Sequence, residues 1–340
     1  MVHLCIAMKN RPTLLVLSAM AALVLSLPAR AARPVPPDGL RILFWNLENF
    51  FDWRDDSLNV HPSETEFSSF GARHWTRSRF QAKCDAIAKS LLWVADEASG
   101  LPDIVTVAEV ENLFVLKRLL STTLLRKYDY VPVHFDAPDP RGIDVALLYR
   151  SRRFRLLRAA PLPVRPPPGR TMQTRDILLA CLRDTLSGDS LAVLVNHHPS
   201  KFGGDSTAWR REAAVRTLCE AVDSLQRAGW SRIVAVGDFN DTPDQPLYAG
   251  IPLENLALPL ARSGEGTLRY EGRWELIDQA YVSASIVRSG CRLRILRIPG
   301  LMTRDSAHSG EKPLRTYSGP RYLGGVSDHC PILLELSAVP

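Results

Sequence analysis

Ten short β-type runs against only three helical segments is the feature that most limits what this chain can fold into. RILFWNL (41–47), DIVTVAEV (103–110), YVPVHF (130–135), VALLYR (145–150), ILLACLR (177–183), LAVLVNHH (191–198), RIVAVGDF (232–239), LIDQAYVS (276–283), RLRILRI (292–298) and CPILLEL (330–336) are rich in β-branched residues or alternate, and turn residues bound them. Helices are predicted at Thr76 to Ala98, Glu111 to Leu125 and Thr207 to Ala228. In the longest, Phe80, Cys84, Ile87, Leu91 and Val94 recur at helical spacing behind a Thr76 cap. Three helices cannot cross over between ten strands, so a mixed, layered α/β arrangement fits better than a doubly wound sheet. The Pro-rich stretch Pro161 to Arg170 reads as a surface connection. The stretch from Pro299 to Gly325 has no apolar period, is long for a loop, and leads straight into Ser327-Asp328-His329, which suits a functional role.

Polar residues collect where the hydrophobic runs end. Asn46 and Glu48 close the first run, Glu109 the second, Asn196, His197 and His198 the sixth, and Asp238 and Asn240 the seventh. Strand ends along one sheet edge are where distant segments assemble a site, because loops diverge there over a rigid support. Asp238 and Asn240, two apart on an extended stretch, would share a side. Asp241-Thr242-Pro243 just beyond also suits a plain Asx turn. His198, facing away from His197 on a strand, reads as structural.

The N-terminus carries an export pattern. Lys9 and Arg11 precede a 14-residue run, Leu14 to Leu27, with only Ser18 and Ser26 polar, and Ala29-Arg30-Ala31 follows as a small-residue cleavage site. That run is short for a bilayer span, which takes about 20 apolar residues. Residues 1–31 are therefore expected to be a cleaved signal and 32–40 a Pro-rich leader, giving a periplasmic or secreted protein with no stable membrane insertion. Removing the signal leaves 39 basic against 36 acidic residues, a net +3 that does not by itself argue for a nucleic-acid partner. Five cysteines remain, an odd number, at spacings that match no zinc pattern.

Taken together, WNLENFFD, DIVTVAEVEN, RGIDVALLYR, NHHPSKFGG, VGDFNDTP, IDQAYVS and GGVSDHCPI resemble, in order, the endonuclease/exonuclease/phosphatase superfamily, which includes DNase I-like nucleases, apurinic endonucleases, inositol polyphosphate phosphatases and bacterial sphingomyelinases. The resemblance runs from about Arg41 to Leu336. It implies one domain over residues 41–337, a four-layer α/β/β/α sandwich of two mixed β-sheets flanked by helices, in place of the two domains that length alone allows.

The resemblance also implies the chemistry. Phosphate ester cleavage needs charge neutralised on phosphoryl oxygens, an activated water, and help for the leaving oxygen. Carboxylates and carboxamides without thiolates suit a hard ion, Mg2+ or alternatively Mn2+. Glu109 stands at the principal ligand position, with Asn46 and Asp328 completing the metal set. Asp238 positions the water, Asn240 and His197 contact phosphate, and Asp278 orients His329. Asp328 and His329 are adjacent, so both reach one site only if the backbone turns there, which Gly324-Gly325 permits. Arg141, Lys201 and Arg315 are expected to bind substrate. Trp75, Arg79, Lys83 and Arg321 are weaker candidates for a second phosphate, and Trp274, Tyr317 and Tyr322 for an aromatic wall. The expected function is a monomeric, exported, metal-dependent phosphodiesterase acting on nucleic acid by direct water attack. Sphingomyelinase or phospholipase C activity, phosphomonoesterase activity, or an inactive binding module of the same fold are the alternatives.

Overall fold

Strand β1 (Leu40–Phe50) shows how the layers form. Ile42 and Phe44 face one core while Leu43 and Trp45 face another, and all four are buried, as alternation on a strand covered on both sides requires. In the computed structural model, which describes residues 39–54, 66–201 and 203–337, this strand is one of eighteen. The others are β2 (Ile104–Val110), β3 (Tyr130–His134), β4 (Asp144–Arg150), β5 (Phe154–Leu162), β6 (Ile177–Asp184), β7 (Ser190–His197), β8 (Ile233–Asp238), β9 (Glu254–Asn255), β10 (Leu268–Tyr270), β11 (Arg273–Glu275), β12 (Asp278–Val282), β13 (Cys291–Ile295), β14 (Met302–Arg304), β15 (Glu311–Pro313), β16 (Tyr317–Ser318), β17 (Arg321–Tyr322) and β18 (Ile332–Leu336).

Two six-stranded sheets form, ordered β13-β18-β1-β2-β4-β3 and β5-β6-β7-β8-β12-β9. Each is mixed: β1–β2 and β7–β8 run parallel, and the other pairings are antiparallel. Between them Ile42, Phe44, Ile104, Leu147, Val193, Val195, Val234 and Ala280 make the central core. Helices α1 (Arg77–Glu97) and α2 (Leu113–Thr122) cover the first sheet through Phe80, Cys84, Ile87 and Leu116. Helix α3 (Ala208–Arg227) covers the second through Ala214, Leu218 and Val222. The four-layer α/β/β/α sandwich expected from the sequence is the observed architecture. Thr76 caps α1 by accepting the Arg79 amide at 3.4 Å, and Asn112 caps α2 by accepting the Val115 amide at 3.1 Å.

Three expectations need correcting. β5 absorbs Pro161, which the sequence reading gave to a surface connection. It is an edge strand, where a residue without an N–H is tolerated. The stretch 299–325 is not one irregular loop, since it folds into hairpins β14–β15 and β16–β17. Asn240 lies beyond the end of β8 with φ 54°, so it does not share a strand face with Asp238. The proposed signal and nearly all of the leader lie outside the described residues. Among the described residues no helix is long and apolar enough to cross a membrane.

Candidate active site

The two parallel pairs end at the same rim. A cleft of about 260 Å³ opens there, lined by residues from the ends of β1, β2, β7 and β8 and from the loops before β4 and β18. The backbone is locally strained at this rim. Glu48 (φ 46°), Asn49 (φ 53°), Glu109 (φ 60°) and Asn240 (φ 54°) are left-handed non-glycine residues, and all four line the cleft. Register shifts between Asn46 and Phe50 and between Ala108 and Val110 accompany the first three, so bulges re-aim these side chains out of the sheet. Gly237 lets β8 pass close to Asn196, where an added Cβ would meet the Asn196 backbone.

One side of the cleft is carboxylate and arginine. Glu109 accepts the Asn49 amide at 2.8 Å and lies 3.1 Å from Arg141. Burial pushes its pKa up, but Arg141 and the Asn49 N–H outweigh that and hold it below the usual carboxylate value. Glu48 is bound by Arg315 Nε at 3.0 Å and by the Thr316 amide at 2.9 Å, and Arg315 Nη2 reaches Asp328 at 3.1 Å. Burial, with Asp328 nearby, still drives the Glu48 pKa up to about 7. Asn46 Oδ1 accepts the Glu48 amide at 3.0 Å. Ser327 Oγ donates to the Asn46 carbonyl at 2.6 Å and accepts the His329 amide at 2.9 Å, making the turn that sends Asp328 and His329 into one cleft.

The other side is buried. His329 Nδ1 is 2.8 Å from Asp278 Oδ2, and its Nε2 is 4.0 Å from Asp238 Oδ2. Burial disfavours the imidazolium, but the Asp278 carboxylate beside it lifts its pKa well above the ordinary value. Asp238 and Asp278 are paired across β8 and β12, and burial together with that like charge raises the Asp238 pKa to about 7. Asn46 Nδ2 donates to Asp238 at 3.0 Å. His197 Nε2 stands 3.7 Å from Asp238, while burial, then Arg175 and Arg141, keeps its pKa well below the usual value. Its Nδ1 is buried without a hydrogen-bond partner.

The structure thus brings Asn46, Glu109, Arg141, His197, Asp238, Asn240, Arg315, Asp328 and His329 to one cleft, with Asp278 directly behind His329. Lys201 is not in it: its ammonium is 3.2 Å from both Asp241 and Glu275. The Asp238 Oδ1 that accepts the Asn240 amide at 2.8 Å makes an Asx turn, so the plain turn and the cleft geometry are one arrangement. His198 packs on Phe239 at 4.5 Å and is structural. Trp75 and Lys83 are buried in the support, Lys83 donating to the Glu48 carbonyl at 2.6 Å and to Thr316 at 2.8 Å. Tyr317 and Tyr322 pack together, whereas Trp274 is stacked by Arg297 and Arg269 on a different hairpin, so they form no single wall.

Four cleft residues were given no role from sequence: Glu48, Asn49, Arg175 and Ser200. Glu48 stood in the first motif, and only its left-handed backbone turns it inward. Arg175 is buried before β6 and holds the His197 and His198 carbonyls at 3.0 and 2.8 Å and Asp139 at 3.0 Å, tying the β3–β4 loop to the end of β7. Arg141 rides on that loop, which Asp144 closes by accepting the Ala137 amide at 3.0 Å.

The donor set fits a hard divalent ion. Glu48, Glu109 and Asp328 with the Asn46 amide oxygen offer oxygen alone, and burial, then the like charge of Asp328, raises the Glu48 pKa, a cost that a cation would offset. Asp238, Asp278 and His329 also bring ligand atoms within 4.8 Å of one another, but the His329–Asp278 hydrogen bond already uses one of these pairs.

The sequence matches the model of the Endonuclease/Exonuclease/phosphatase family over residues 41–338. No curated protein matches. Solved structures with the same fold include the human Nocturnin catalytic domain with bound sulfate, at 18% identity and TM-score 0.55, covering 88% of this chain and 94% of that one. A Bacteroides thetaiotaomicron mannosyl-6-phosphatase is 17% identical with TM-score 0.55, covering 88% of this chain and 100% of that one. D. rerio TDP2 complexed with a single-strand DNA product is 15% identical with TM-score 0.54, again covering 88% and 100%.

Proposed function

The chain belongs to the endonuclease/exonuclease/phosphatase family, whose members are metal-dependent phosphoester hydrolases, and on that premise we propose that it is an exported phosphodiesterase hydrolysing nucleic acid. The observation that carries the reading is the His329–Asp278 pair at 2.8 Å facing Asp238, in the same cleft as Glu109 and Asp328. Asp238, oriented by Asn46, takes a proton from water as the water oxygen attacks phosphorus and the leaving oxygen departs. His329, kept as imidazolium by Asp278, donates to a phosphoryl oxygen on which charge builds. Neutral His197 and the second N–H of Asn240, whose first holds the His198 carbonyl at 2.8 Å, supply further hydrogen bonds. Arg141 and Arg315 stand at the mouth, where a phosphate reaches them. Glu109, Glu48, Asp328 and Asn46 would hold Mg2+, which when bound polarises the phosphoryl group. No side chain in the cleft is placed as a covalent nucleophile in this scheme, so the water acts directly. The two half-exposed arginines at the mouth suit an anionic phosphodiester.

The test is an assay of the purified protein with magnesium on plasmid DNA, RNA, a bis-aryl phosphodiester, a phosphomonoester and sphingomyelin, with Glu109→Ala as control. Cleavage of DNA or RNA by the wild type alone supports the proposal. Equal turnover by both proteins defeats the mechanism, and activity confined to sphingomyelin or the monoester replaces the substrate class. Detection of the mature protein outside the cytoplasm, starting near residue 32, tests export.

A further inference from the structure

Beside the carboxylate side of the cleft, arginines and aromatic rings alternate on the surface. Trp53 and Arg54 follow the Glu48–Asn49 end of β1 directly, and Tyr322 lies in the hairpin between Arg315 and Asp328, so both ends of this surface start at cleft residues. The Arg54 guanidinium lies 3.7 Å over the Phe114 ring. Arg77 and Arg118 stand 5.9 and 6.0 Å over Trp53, and Arg79 lies 4.4 Å over Tyr322. Trp53, Phe114 and Tyr322 are half-buried, while Arg77 and Arg321 are exposed. Among the described residues, Arg77, Arg79, Arg118 and Arg321 have no carboxylate partner, unlike Arg54 and Arg73, which pair with Asp52 and Glu66. Arginines without a carboxylate partner occur elsewhere among the described residues too, and this group is set apart by its rings and by its place beside the cleft.

We infer that this arginine–aromatic rim is the track along which an unpaired stretch of the nucleic-acid substrate enters the cleft. Guanidinium groups neutralise successive phosphates, and an arginine drawn off its ring onto a phosphate uncovers that ring for an unpaired base, whose face a duplex hides. Phe70, 98% exposed in the segment packed on the β16–β17 hairpin, is one protruding apolar tip, so a membrane is the occupant the test must separate from nucleic acid. The inference rests on the nuclease reading and narrows it to single-stranded substrate.

The test uses the full chain and two variants, Arg77→Gln combined with Arg321→Gln, and Tyr322→Leu, each checked for an unchanged melting temperature. Binding of an end-labelled single-stranded oligothymidylate is followed by anisotropy in EDTA, and hydrolysis is followed on the same oligonucleotide and on bis-nitrophenyl phosphate. The arginine pair variant should bind the oligonucleotide at least about tenfold more weakly, with its salt slope reduced by about 1.4, and the ring variant should lose about tenfold. Turnover of the small diester should not change. Unaltered oligonucleotide binding, equal loss on both substrates, or wild-type binding to duplex as tight as to single strand overturns the rim. Loss of sedimentation with phosphatidylglycerol–phosphatidylcholine vesicles, with oligonucleotide binding intact, overturns it in favour of a lipid surface. Weakened binding by the variants when the wild type cleaves no nucleic acid sustains the rim and removes only the nuclease reading.

Discussion

On the Glu109 side of the cleft, three carboxylates share two arginines whose side chains are 46% and 50% exposed. On the Asp238 side every ionisable side chain is at most 7% exposed, and none forms an ion pair with arginine. The difference separates two tasks. Charges on the first side are screened and can trade partners as an anion arrives, since exposed ion pairs contribute at most about 1 kcal/mol each. On the second side the charges are buried and coupled, with His329 within 4.0 Å of Asp278, Asp328 and Asp238, and the 2.8 Å Asp278 contact and the Asn46 amide bias the proton positions before substrate binds.

The largest effect should come from the first side's one carboxylate of lowered pKa. Glu109→Gln is expected to reduce kcat about a thousandfold or more with a fold unchanged by circular dichroism. A loss under tenfold would place the electrophilic work elsewhere. Next comes the buried side: Asp278→Asn should cost about a hundredfold in kcat, because His329 loses the partner that keeps it charged. Measuring KM in the same assay sharpens the contrast, since a change confined to KM would make Asp278 a binding residue.

The pH profile separates the sides further. Asp238 acts as a base only when deprotonated, and its pKa is raised to about 7, so kcat/KM should fall as pH drops below about 7. An acid limb centred near the ordinary carboxylate value of about 4 would break the assignment. Arg315→Gln removes a screened, half-exposed cation and should raise KM about tenfold while leaving kcat within about threefold. The smallest effect belongs outside the cleft: Lys201→Ala should leave both constants within about twofold, and a larger loss would return Lys201 to substrate binding.

Much of the cleft was legible in the sequence, because Asn46, Glu109, His197 and Asp238 terminate apolar runs that only strands explain, and strand ends share an edge. What stayed hidden depended on contacts between distant segments. Arg175 precedes a strand, where a basic residue ordinarily meets solvent, and it is buried only because Asp139 lies 36 residues upstream to receive it. Glu48 was visible as a polar residue, but its inward aim follows from a left-handed backbone beside a bulge, which no periodicity encodes. Lys201 failed for the converse reason, since Glu275 intercepts it across 74 residues. β5 escaped notice because Arg and Pro interrupt an edge strand whose outer side needs no apolar pattern.

β18 sits between β13 and β1, and the turn before it delivers Asp328 and His329 to a cleft begun by Asn46 some 281 residues earlier, through Ser327. A growing chain therefore carries its catalytic parts unassembled until almost the last of these residues has been synthesised, since β1 lacks a neighbour on one flank until then. Late closure thus keeps the cleft unassembled in the nascent chain. A version truncated before residue 326 lacks β18, Asp328 and His329 and should be inert on every phosphodiester even where its second sheet has formed.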